Sequence, residues 1–90
     1  MNAAGTRIKL RREELKLSQS DLCERLSDVT LGEWNADRRD VFRLEKGTRK
    51  VSDVELLALA LALDVSPMWL LVGSGDERSE TGFRRPIAGG

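Results

Sequence analysis

The chain has no histidine, no tyrosine and a single cysteine, Cys23, and each scarcity removes a class of function. One cysteine cannot build an internal disulfide framework, and without histidine the usual zinc patterns cannot be written. A metal-free, cofactor-free fold in a reducing compartment is expected. The longest apolar run, Leu56 to Leu63, falls far short of the ~20 residues a membrane span needs, and the N-terminus shows no apolar signal core, so no membrane association and a cytoplasmic location are expected. Aromatic residues are few, namely Trp34, Phe42, Trp69 and Phe83, which leaves leucine, valine and alanine to form the interior and favours helices. Nothing assembles a nucleophile, a general base and a metal, so an enzyme is not expected.

What is present is charge, at 33% of residues with a formal net of zero. A zero total reads against nucleic acid until the distribution is followed along the chain. Residues 1–26 and 36–50 together carry a net +5, residues 27–35 and 51–72 contain no Lys or Arg and carry −5, and the remainder balances. A cationic face can therefore coexist with a neutral total. Ninety residues make one domain, placed at 6–72, followed by a polar, glycine-rich stretch at 73–90 expected to be a flexible tail.

Helix starts are marked by caps. Ser18 with Asp21 in the first turn, Ser52 with Glu55 as a capping box, and Ser66 followed by Pro67 each open a helix. Asp37 with Asp40 opens another, whose Val41 and Leu44 face inward and which Gly47 stops. Upstream, Ile8, Leu15 and the stem of Arg12 share one face of a first helix. The spacing predicts five short helices near 6–16, 19–27, 38–46, 53–64 and 67–72. The fourth is apolar almost all round, which fits either a central core helix or one that lends part of its surface to a dimer.

Leu17-Ser18-Gln19-Ser20-Asp21-Leu22 with Leu26, Val41 to Gly47, Val51 to Ala60 and Leu63 to Ser66 carry a resemblance. The segment from Arg7 to Val72 resembles the xenobiotic-response-element (XRE) family of helix-turn-helix regulators, which includes the phage Cro and repressor DNA-binding domains. The resemblance implies an all-α, five-helix, lambda-repressor-like bundle. It also implies double-stranded DNA as partner, with the third helix in the major groove.

Arg38, Arg39 and Arg43 lie opposite Val41 and Leu44, and arginine's planar fork matches the O6 and N7 acceptors of guanine, so these three are the expected base readers. Each can alternatively touch phosphate or pair with Asp37 or Asp40. Asp40 can instead accept from a cytosine amino group, and Phe42 can either meet a thymine methyl or pack over the segment before its helix. Gln19, at a helix start, suits a phosphate, and Lys46, Thr48, Arg49 and Lys50 surround the turn where the family places phosphate contacts. Arg12 and Glu45 match positions that form a structural ion pair in related repressor domains. Cys23 matches a position for a small buried residue. Trp69, Leu70 and Leu71 form an apolar cluster read either as a homodimer surface or as part of the monomer's core.

One departure is plain. Relatives join the second and third helices by a tight turn with glycine, whereas here Ser27 stands at that place and roughly eight extra residues follow within 27–35. Val29, Leu31 and Trp34 there can extend the second helix or cover the core. The expected function is a sequence-specific transcriptional regulator, a repressor. The alternative is an antitoxin or other module that holds a protein partner on the same fold.

Overall fold

The computed structural model describes residues 3–73, and all of their regular structure is helical. The expected tail lies outside the described residues from 74 onward. The helices are α1 (Ala3–Glu14), α2 (Gln19–Val29), α3 (Arg38–Lys46), α4 (Asp53–Leu63) and α5 (Pro67–Val72). Capping boxes close on α2, α3 and α4, with Ser18, Asp37 and Ser52 as N-caps and Asp21, Asp40 and Glu55 returning the bond. Ser66 caps α5 ahead of Pro67, and Gly47 ends α3 at φ +78°.

Both ends of α1 and the end of α2 differ from expectation by two or three residues, and α4 ends one residue early at Leu63. Helix α1 begins at Ala3, three residues early, and ends at Glu14 because Lys16 turns to φ +62°. Its early start depends on Gly5: a Cβ there would collide with the carbonyl groups of Leu44 and Glu45, so the α1 backbone lies directly against the end of α3. Helix α2 runs on to Val29, and the inserted segment then forms an ordered loop. Thr30 Oγ1 donates to Leu26 O and accepts from Trp34 N–H, while Asn35 Nδ2 donates to Gly32 O. Leu31, at φ +53° and 92% exposed, covers nothing, whereas Trp34 packs against the core and Ala36 is buried.

The core joins one face of every helix: Ile8, Leu22, Leu26, Val41, Leu44, Leu59, Leu63 and Leu70 are fully enclosed. Apolar side chains at these positions are what hold helices this short together, since isolated helices of such length are marginal in water. Helix α4 buries Ala58, Leu59, Ala60, Ala62 and Leu63 but presents Val54, Leu57 and Leu61 as an exposed apolar row. The expected dimer cluster of Trp69, Leu70 and Leu71 requires correction. Trp69 and Leu70 are buried within the monomer, because α5 folds back on α1 and α4, and of the three only Leu71 is exposed.

Candidate nucleic-acid interface

Helix α3 owes its orientation to its buried side. Val41 and Leu44 are sealed in the core, which turns Arg38, Arg39 and Arg43 outward. All three side chains are exposed, and none of their guanidinium groups is hydrogen-bonded or ion-paired to another of the described residues. Asp37, the N-cap, is held charged: its carboxyl sits below the ordinary carboxylate range because the backbone N–H of Asp40 donates to it, helped by nearby Arg39 and Arg43.

Helices α2 and α3 flank an open cleft lined by Gln19, Ser20, Cys23 and Glu24 on one side and by Asp37, Arg38, Arg39 and Phe42 on the other. Phe42 is half-exposed there and carries the Lys46 ammonium 5.5 Å from its ring centre, a cation–π contact. Its ring therefore borders the cleft. Cys23 is only part-buried, and burial together with Asp37 and Asp40 pushes its thiol upward, away from the thiolate that would make it reactive.

Arg12 and Glu45 join α1 to the end of α3. Arg12 Nε and Nη2 donate to the two Glu45 oxygens, Nη1 donates to Leu17 O at 2.8 Å, and the two side chains are only 11% and 5% exposed. Gln19 is part of this group, since its Nε2 donates to Glu45 Oε1 at 3.3 Å. The amide expected at a phosphate is thus engaged in this structure by the end of α3.

The basic loop after α3 divides. Lys46, Thr48 and Lys50 are exposed, while Arg49 turns inward to chelate Glu55 with two bonds of 2.9 Å. That engagement raises the Arg49 guanidinium and lowers the Glu55 carboxyl from their ordinary ranges.

The other described arginines, Arg7, Arg11 and Arg25, have roles that the sequence did not disclose. Arg7 donates to the carbonyls of Leu70 and Leu71, Arg11 to Leu63 O, and Arg25 to Ala62 O. Helices α4 and α5 have no basic residue in their last turns, and these cations from α1 and α2 satisfy their terminal carbonyls. That missing charge was the available clue. Three of the six cations in residues 1–26 are therefore spent on helix ends and a fourth, Arg12, on Glu45, which leaves Lys9 and Lys16 exposed there and the larger exposed group on α3 and its following loop. Among the described residues no cluster of His, Cys, Asp or Glu stands ready to hold a metal, and no helix is long and apolar enough to cross a membrane.

No family profile and no solved structure matches the chain. Among curated proteins it is similar to the HTH-type transcriptional regulator DicA of Escherichia coli (strain K12), at 30% identity over 86 residues. The alignment takes in 93% of this chain and 56% of DicA, so the chain spans little more than half of that relative's length. With the capped α2 and α3, the five-helix order and this alignment in agreement, the chain carries a helix-turn-helix domain of the XRE/Cro type.

Proposed function

We propose that this domain is a DNA-binding transcriptional regulator, a repressor, that reads the major groove with α3. The observation that carries the reading is the row of Arg38, Arg39 and Arg43, exposed and unengaged beside one another on a helix whose other face is locked in the core. Guanidinium forks held out in that way suit guanine edges. Gln19, Lys46, Thr48 and Lys50 flank the row and supply phosphate contacts, which add affinity that weakens with salt. The relative's description as an HTH-type transcriptional regulator supports the same reading.

Two copies related by a two-fold axis would set two α3 helices about 34 Å apart along the duplex. Met68, Leu71 and Val72, exposed along α5, supply apolar surface for that pairing. The second reading, an antitoxin or partner-holding module, has in its favour the apolar row on α4, which a monomer leaves in water.

Selection from a random pool of duplex DNA across a salt series tests the proposal. Enrichment of a guanine-containing motif, with affinity falling as salt rises, is the expected result. No enriched motif and no salt-dependent binding would overturn it. DNA affinity that appears only after a tight protein partner is added would transfer support to the second reading.

A further inference from the structure

The inserted segment and the loop after α3 meet at one side chain. Arg49 donates from Nη1 to Glu55 Oε1 and from Nη2 to Glu55 Oε2, and Nη1 also reaches Lys50 O at 3.2 Å. Its Nε stands 3.8 Å from Asp40 Oδ1, and its guanidinium carbon lies 5.6 Å from the centre of the Trp34 ring. Four stretches of chain converge there: the insertion through Trp34, the first turn of α3 through Asp40, the loop through Arg49 and the first turn of α4 through Glu55. Asp40 and Glu55 are also the returning carboxylates of two capping boxes, accepting from the backbone N–H groups of Asp37 and Ser52. One cation thus holds the starts of α3 and α4 in register, with an aromatic ring from the insertion against it.

We infer that Arg49 and Trp34 are positioning residues that aim α3, so that the insertion at 27–35 belongs to the DNA-reading apparatus without touching DNA. The inference rests on the proposed DNA-binding role of α3. Two carboxylates already occupy the guanidinium and give its surroundings a negative balance, which disfavours a phosphate at the same place. A connection lengthened at 27–35 constrains α3 less than a tight turn does, and the Trp34–Arg49 contact returns a constraint at the helix start.

The test uses the full chain with Arg49→Lys, Arg49→Met, Trp34→Leu and the double variant Trp34→Leu/Arg49→Lys. In free protein, amide chemical shifts at residues 37–40 and 52–55 are expected to move together in Arg49→Lys and in Trp34→Leu. Shifts confined to the substituted residue's own neighbours in sequence would overturn the coupling, whether or not the protein binds DNA. On DNA from the random pool, Arg49→Lys keeps its charge yet is expected to lose about tenfold in preference for the selected site over unrelated duplex. The double variant should lose no more than the larger of its single variants. Arg49→Met is expected to leave the slope of log affinity against log salt unchanged. A phosphate contact predicts the reverse: full preference in Arg49→Lys and a slope smaller by about 0.9 in Arg49→Met. That result would overturn the inference. If wild type enriches no site, the functional proposal fails while the shift measurement still decides whether Trp34 and Arg49 act as one unit.

Discussion

At Gly5 a methyl group would meet two backbone carbonyls of α3, and backbone cannot step aside as a side-chain tip can. Gly5→Ala gains about 1 kcal/mol of helix propensity and loses more through overpacking, about 1–3 kcal/mol, so a lower midpoint in urea is expected. A midpoint equal to wild type would show that α1 can retreat from α3 without penalty. The Arg12–Glu45 pair makes a different demand, because each charge is tolerable in its enclosed position only while the other is present. Glu45→Leu alone is expected to cost about 3 kcal/mol, and adding Arg12→Met to it should recover part of that loss in the same urea series. Residues of this kind were unequally legible. The Arg12–Glu45 assignment came through resemblance, whereas Gly5 drew no reading from the sequence, because its role depends on a contact with carbonyls 39 and 40 positions away, which no local pattern encodes.

Capping ties the helices to pH. Asp21 and Glu55 return bonds in the capping boxes of α2 and α4, Asp37 is the N-cap of α3, and all three carboxyls sit below their ordinary values. For Asp21 and Asp37 the first cause is a bond from the backbone, and for Glu55 it is the bond from Arg49. A folded-state pKa below the unfolded one stabilises the fold above the unfolded value, about 4, and that contribution disappears as pH falls through the lowered values. With no histidine in the chain, thermal midpoints are expected to hold level between about pH 5 and 7 and to fall below about pH 4. A change of several degrees across the neutral range would contradict this assignment of groups.

The same caps explain why the elements were readable. Ser18, Asp37, Ser52 and Ser66 place their starts within a residue, since a cap acts over only three positions of sequence. The first helix has no such signal, and there the expected boundary was wrong by three residues. The insertion was unreadable for a related reason: its Thr30, Asn35 and Trp34 bonds are particular to one loop shape and have no periodicity.

Across the whole molecule, the neutral total conceals a division of labour among cations. Arg7, Arg11 and Arg25 close the ends of α4 and α5, whereas Arg38, Arg39 and Arg43 stand open to solvent. Arg11→Gln is accordingly expected to lower thermal stability while leaving the salt slope of DNA binding unchanged. Lys50→Ala should instead weaken all sequences evenly and reduce that slope by about 0.9, and Arg39→Ala should relax preference at one base position. Equal losses on every sequence from Arg39→Ala would place that residue on phosphate. Net charge by segment overcounted the open cations, because charge read from sequence does not reveal which cations are already bound to carbonyls.

The open α3 arginines and the occupied ones also differ as chemical targets. A dicarbonyl reagent that condenses with both Nη atoms of a guanidinium needs them free of hydrogen bonds, so among the described arginines Arg38, Arg39 and Arg43 should be labelled first. Arg12 and Arg49, each clasped by a carboxylate, should be labelled last. Order of labelling, read by mass spectrometry, therefore gives a footprint of the open guanidiniums before any target sequence is known.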